Sequence, residues 1–267
     1  MLRRILFFGY GTFCYVVFLA TFLYAIGFVG NFGVPTALDG PASGALGLNL
    51  LIDAGLLTLF AVQHSVMARK WFKQWWTQIV PKPIERATYV LFSSVALILL
   101  FFLWRPLGGV VWSVEDPTGR FVLYGLFAFG WALILYATFL INHFDLFGMR
   151  QVWRYLLGKP EEGLRFTTPG PYRLVRHPLY VGWLFAFWMT PVMTFAHLVF
   201  SIATTAYILL AIQFEERDLV REFGDSYEDY RRSVPMLIPS LRKRSSKPSP
   251  AIIQPSGSGF LKDTETT

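Results

Sequence analysis

Residues 176–216 read RHPLYVGWLFAFWMTPVMTFAHLVFSIATTAYILLAIQFEE. Between the polar ends, Arg176-His177 and Glu215-Glu216, runs an apolar stretch, 179–214, with no charged residue and a break near its middle at Pro191 and His197. A transmembrane helix needs about 20 mostly apolar residues, each rising about 1.5 Å through about 30 Å of hydrocarbon. The stretch is too long for one pass and barely long enough for two. It reads as a hairpin of two short apolar helices that returns to the side it left, either crossing fully or re-entering. That return brings Arg176 and His177 to Glu215 and Glu216.

Upstream, residues 5–29, 46–67, 88–104 and 121–141 are further apolar spans. The chain is 54% hydrophobic and 15% charged, with a mean hydropathy of +0.45. A soluble domain carries roughly 25% charged residues, so the expected fold is all-α: a polytopic membrane helix bundle of four long spans plus the C-terminal hairpin. The first span has too long an apolar core for a cleaved signal peptide, and no clear small-residue cleavage site follows it. The expected division is a four-span membrane bundle over 1–142, cytosolic segments and hairpin forming the functional site over 143–239, and a disordered cytoplasmic tail over 240–267. The tail is basic and rich in Ser and Pro.

The net charge of +7 could suggest nucleic acid, but the positions of the cations argue for topology instead. Twenty-two of the 24 Lys and Arg residues lie before the first span, in 69–86, in 150–176, or from Arg217 onward; only Arg105 and Arg120 fall on the other side. The positive-inside rule then places both termini and two large loops in the cytoplasm. A nucleic-acid partner is not expected, and no obligate protein partner is evident. Trp71, Trp75, Trp76, Trp104 and Trp112 flank span ends, as an interfacial aromatic belt does. The single cysteine, Cys14, excludes a disulfide framework, a Cys-based zinc site and an iron–sulfur cluster. Four scattered histidines make no convincing metal site.

Ionisable groups at bilayer depth cost about 2.5–3.5 kcal/mol each on insertion scales, so each needs a reason. Asn49, Asp53 and His64 fall within about 60° of one another at about 100° per residue, which turns one stripe toward the bundle. Interhelical glue explains such a stripe as readily as a site does. The fourth span ends in Asn142-His143-Phe144-Asp145-Leu146-Phe147-Gly148-Met149-Arg150-Gln151, with more polar chemistry than a capped helix end requires. At the hairpin, Pro178 disfavours helix at His177 and suits the first turn of the helix that follows, leaving His177 just before a helix N-terminus. Gly182 permits close approach of backbone or ligand. Gly224 stops the second limb, and Asp225 with Glu228 resembles a capping box, bringing Tyr227, Tyr230 and Arg231 to the same mouth. The Arg and Glu residues pair as a structural salt bridge on the plainer reading.

No G-x-G-x-x-G fingerprint, Walker A sequence, H-E-x-x-H motif or G-x-S-x-G elbow occurs. A transporter is expected to show repeated halves, and only one hairpin break is present. Arg176-His177-Pro178-x-Tyr180-x-Gly182, the apolar hairpin, and Glu215-Glu216-x-x-Leu219 with a Tyr-containing end resemble the isoprenylcysteine carboxyl methyltransferase and phospholipid methyltransferase superfamily. Gln63-His64-Ser65 and the segment 142–153 are similar to its bacterial methanethiol S-methyltransferase branch.

The resemblance implies S-adenosyl-L-methionine as methyl donor, S-adenosyl-L-homocysteine as product, and methanethiol converted to dimethyl sulfide at the cytoplasmic face. A membrane methyltransferase acting on a lipid or prenyl-cysteine carboxylate, or a non-catalytic membrane protein, is the alternative. His143, Asp145, Arg150 and His64 are the expected catalytic residues. Arg173, Arg176, His177, Tyr180, Gly182, Glu215, Glu216 and Tyr227 are the expected cofactor-binding residues. A small apolar thiol partitions into membrane lipid, which gives a membrane enzyme its supply.

Overall fold

A computed structural model of the protein describes residues 1–42, 44–160 and 167–239; the expected tail at 240–267 lies outside them. Five helices are long and apolar enough to cross a membrane: α1 (Leu2–Gly30), α2 (Leu46–Ala68), α4 (Lys82–Leu103), α5 (Pro117–Ile141) and α9 (Phe195–Phe223). Between α2 and α4 lies α3 (Lys70–Trp76), whose Trp71 and Trp75 are exposed. After α5 the chain folds into α6 (His143–Leu146) and α7 (Met149–Leu156), then α8 (Pro178–Trp188), and it closes with α10 (Asp225–Ser233) after α9.

The hairpin forms, but its limbs are unequal, which corrects the expectation of two short helices. The first limb, α8, has 11 residues and the second, α9, has 29. At 1.5 Å per residue α8 advances about 16 Å, half a hydrocarbon core. The descent is completed in extended chain. Met189 leaves the helix, and β2 (Val192–Thr194) pairs antiparallel with β1 (Val110–Ser113), which precedes α5. Pro191 has no N–H to continue a helix, and its carbonyl accepts from Val114 N at 2.9 Å. Non-helical backbone at this depth needs such partners, and β1 supplies them. Thr194 then caps α9, its hydroxyl accepting from His197 N at 3.2 Å.

The same end is latched by Asp39 from the α1–α2 loop. Its carboxylate accepts from the Thr194 hydroxyl and lies 3.1 Å from His197 Nδ1, while His197 Nε2 reaches the Phe187 carbonyl at 2.9 Å. Asn49 and Asp53 are buried as the stripe predicts. Asp53 serves this far end, accepting from the backbone N of Arg105 at 2.9 Å.

At the opposite end Gly224 terminates α9 with φ 55°. The expected capping box does not form: Gly224 takes the N-cap position of α10, and no side chain caps it.

A close, backbone-to-backbone helix crossing joins α5 and α8. A Cβ at Gly130 would meet the backbone N of Ala186 at 2.6 Å, and one at Gly182 would meet the Gly130 carbonyl oxygen at 2.8 Å. Gly182 is therefore a helix-packing residue. Of the two approaches its sequence allowed, the structure uses the one to backbone. Gly182→Ala should cost about 1–3 kcal/mol, as overpacking typically does, read as a lowered unfolding midpoint in detergent. An unchanged midpoint would show that the crossing is loose.

Candidate active site

The ring of long helices and the short α8 enclose a cavity of about 1130 Å³. Its wall includes His64, His143, Asp145 and Arg150 on one side and Arg176, His177, Tyr180, Glu215 and Tyr227 on the other. Two sequence-distant clusters thus meet across one space. Arg173, Gly182 and Glu216 are not part of the wall.

Local chemistry explains how each cluster is placed. Asn142 takes a left-handed conformation with φ 93°, which ends α5, and its side chain accepts from Asp145 N at 3.4 Å. Gly148, at φ 86°, lies so close to α4 that a Cβ would meet Ala87 N at 2.6 Å. These two turns fold His143 back under the bundle, where it is 3% exposed and stacks on Phe139 with centroids 4.2 Å apart. Asp145 faces the wall through Oδ1, which accepts from Gln151 Nε2 at 3.1 Å.

The hydrogen bonds of His143 fit the tautomer protonated at Nδ1. The Thr138 hydroxyl donates to the Leu135 carbonyl at 2.7 Å, so its oxygen accepts from His143 Nδ1, 2.9 Å away. Nε2 then carries the lone pair of the neutral ring and accepts from the Tyr15 hydroxyl at 2.8 Å. Burial holds the imidazole below its ordinary pKa, reinforcing the neutral form.

His64 sits on Phe60 with centroids 5.2 Å apart, and the Tyr89 hydroxyl lies 2.9 Å from its Nδ1. Sequence reading missed Tyr15, Arg86 and Tyr89. Arg86, Tyr89 and Ser93 share one face of α4, spaced three and four residues apart. Beginning that span at Thr88 left Arg86 outside it. Arg86 donates through Nε to the Leu146 carbonyl at 2.9 Å and places its guanidinium 5.3 Å from the Tyr89 ring.

The hairpin shoulders meet at Glu216. Its Oε1 accepts from Arg176 Nε at 2.7 Å and from His177 Nε2 at 3.0 Å. Both side chains of the Arg–Glu pair are about one-tenth exposed. Arg176 Nη1 also donates to the carbonyls of Arg231, at 3.0 Å, and Val234, at 2.6 Å. The backbone N–H groups of Arg176 and His177 bond to Pro235 and Met236. Arg176 and Glu216 therefore brace the fold, as the structural salt-bridge reading holds.

Glu215 differs. It accepts from the Tyr180 hydroxyl at 2.8 Å, its side chain is 45% exposed, and it lies on the cavity wall. His177 Nδ1, 4.0 Å from Glu215, is beyond hydrogen-bond reach of it. Arg173 lies outside the wall, donating to the Thr168 carbonyl at 3.4 Å. Tyr227 is 1% exposed, and burial raises its pKa.

A membrane-embedded helical hairpin with a polar cavity at its closed shoulders defines the class, and the phospholipid methyltransferase family matches this chain over residues 123–226, the segment that builds the hairpin. The chain is 58% identical over 236 residues to a methanethiol S-methyltransferase of Crocosphaera subtropica, covering 88% of this chain and 92% of that one. It is 52% identical over 238 residues to one of Mycobacterium tuberculosis, covering 89% and 98%. Nurim of Bos taurus is 30% identical over 207 residues, covering 73% and 78%. No solved structure matches. The chain belongs to the methanethiol S-methyltransferase family.

Removing one partner of a buried ion pair costs about 3–5 kcal/mol, because the other charge is left stranded. Glu216→Ala should lower the unfolding midpoint by that measure, whereas Glu215→Ala should leave it nearly unchanged. Equal midpoints for the two variants would contradict this division.

Proposed function

We propose that the protein transfers a methyl group from S-adenosyl-L-methionine to methanethiol, giving dimethyl sulfide and S-adenosyl-L-homocysteine. The observation that carries the reading is the meeting of His143 with the Tyr180–Glu215 pair across one cavity, in a chain 52–58% identical to methanethiol S-methyltransferases. The excess of Lys and Arg on one side supports a cytoplasmic mouth.

The donor set at the hairpin end fits the methyl donor. The half-exposed Glu215 carboxylate accepts from ribose hydroxyls or an ammonium and favours a nearby sulfonium. Tyr180 orients it, and His177 and Tyr227 complete that wall. Gly182 and Glu216 act from behind, through packing and closure. When bound, S-adenosyl-L-methionine supplies an electrophilic methyl on positively charged sulfur.

The chain's own work is positioning and proton handling. In-line displacement depends on alignment, and pre-organisation is worth several kcal/mol. The thiolate is the nucleophile. Neutral His143 is ready to take the thiol proton at Nε2, where the thiol displaces the Tyr15 hydroxyl. Arg86 and Arg150 supply a positive field that favours the thiolate, while Asp145 and His64 shape the remainder of that wall.

Purified protein with methanethiol and labelled S-adenosyl-L-methionine should release labelled dimethyl sulfide, and a flat trace would overturn the reading. His143→Ala should lower kcat by about 10²–10⁴, the usual range for a general base, with donor affinity retained. Tyr15→Phe frees Nε2 and should hold kcat within a few-fold. Because burial depresses the His143 pKa, turnover should persist below pH about 6.5, the ordinary histidine value, and fall only at more acid pH as the ring is protonated. A pH profile unchanged by His143→Ala would remove the base assignment.

Glu215→Ala should weaken donor affinity measured by calorimetry. Unchanged affinity would place the donor elsewhere.

A further inference from the structure

The cavity is much longer than its polar end. Its wall follows α1 from Phe18 to Val29 and α4 from Tyr89 to Phe101, lengths of about 16 and 18 Å at 1.5 Å per residue. All charged side chains on the described wall belong to the polar end. The inner reach is closed by Phe22, Ala25, Leu100, Trp131 and Phe200. Ser93 turns its hydroxyl to His64 Nδ1 at 3.2 Å, and the hydroxyls further in donate to their own helices. Thr21 donates to Val17 O at 2.7 Å, Ser94 to Val90 O at 2.9 Å, and Thr204 to Phe200 O at 2.7 Å. The side chains along this reach therefore present mainly carbon to the space.

Neither reactant of the proposed reaction occupies that length. S-adenosyl-L-methionine carries ionic and hydroxyl groups along its length, and the side chains that match them lie near the hairpin shoulders. Methanethiol has two heavy atoms. A column of water in the reach would bond mainly to itself and little to the wall, and an empty reach forfeits dispersion contacts along its wall. The matching occupant is an unbranched hydrocarbon chain attached to the reacting sulfur.

We infer that the same site methylates straight-chain alkanethiols, with the sulfur beside His143 and the tail in the inner reach; this rests on the reading of the site as a thiol S-methyltransferase. The alkanethiol gives its S–H proton to His143 Nε2, which releases it to water at the polar mouth. The thiolate lone pair then forms the new carbon–sulfur bond to the methyl as the methyl–sulfonium bond breaks. The breaking pair stays on the donor sulfur and neutralises it, and the products are an alkyl methyl sulfide and S-adenosyl-L-homocysteine. A zigzag of C–C bonds of about 1.5 Å advances about 1.3 Å per carbon, so 16 Å holds roughly ten to twelve carbons. Burial of each methylene at about 0.8 kcal/mol corresponds to roughly fourfold in affinity.

The test uses the full chain in lipid nanodiscs with labelled S-adenosyl-L-methionine and a series from methanethiol through butanethiol and octanethiol to hexadecanethiol, at known free aqueous concentrations. Expected is a kcat/KM that rises about two- to fourfold per methylene up to octanethiol and collapses for hexadecanethiol. Ala25→Phe fills the reach and should cut octanethiol turnover at least tenfold while methanethiol turnover persists; Ser94→Leu is a second variant with the same expected effect. Without methyl donor, octanethiol should raise the unfolding midpoint of the parent and not of Ala25→Phe. Methanethiol turnover with a rate that falls from butanethiol onward overturns this inference and leaves the proposed function standing. So does octanethiol turnover, or a midpoint shift, that both variants retain. Absence of transfer to any thiol overturns both.

Discussion

The site depends on one carboxylate oxygen. Glu216 Oε1 takes Arg176 from one side and His177 from the other, at 2.7 and 3.0 Å, and so joins the start of the hairpin to its end. Arg176 extends the same knot to the carbonyls of residues 231 and 234. A buried ion pair is weak support for stability on its own, since desolvation offsets much of the attraction. Its value is in specifying geometry. With both limbs tied at Glu216, the neighbouring Glu215, about 100° further round the helix, is aimed into the cavity and can be oriented by Tyr180.

That knot works only because the other end of the hairpin is also held. Asp39, His197 and Thr194 fasten the turn to the α1–α2 loop, and the β1–β2 pair satisfies the extended backbone after α8. The glycine crossing at Gly130 and Gly182 fixes α8 sideways against α5. The polar cavity is thus bounded by a hairpin restrained at two ends and along one edge. Restraint of that kind is what a reaction governed by alignment requires of a scaffold.

Much of this was legible in the sequence, and what was hidden had physical causes. Hydropathy located four of the five long helices because separate apolar runs of about 20 residues are unambiguous. The meeting of Arg176 and His177 with the two glutamates followed from the hairpin's return alone. The unequal limbs did not, because Pro191 marks a break without saying what pairs beyond it, and β1 lies far away in sequence. The roles of Glu215 and Glu216 were inseparable for a related reason. Adjacent residues on a helix face different surroundings, and only the packed structure says which surrounding is solvent-filled. Tyr15 and Tyr89 were missed because a lone tyrosine in an apolar span reads as core until its hydroxyl partner, a histidine on another helix, is in place.

The contrast between the two ends of the cavity bears on how a charged reaction runs inside a membrane. Cation and carboxylate groups on the described wall are confined to the polar end of the cavity, where the proposed function puts the donor's positive sulfur beside Glu215. His143 lies where the polar wall gives way to rings, buried enough to stay neutral yet bonded at both nitrogens, so its lone pair is directed before substrate arrives. Under the proposed function, a thiolate formed beside it has a low-dielectric wall on one side and Arg86 and Arg150 on the other. Its charge is therefore drawn toward the shoulder end and the sulfonium. Methyl transfer then cancels the two charges, leaving neutral products that the apolar wall no longer disfavours. The gradient from polar mouth to aromatic reach thus favours the transfer in the direction that removes charge from the membrane interior.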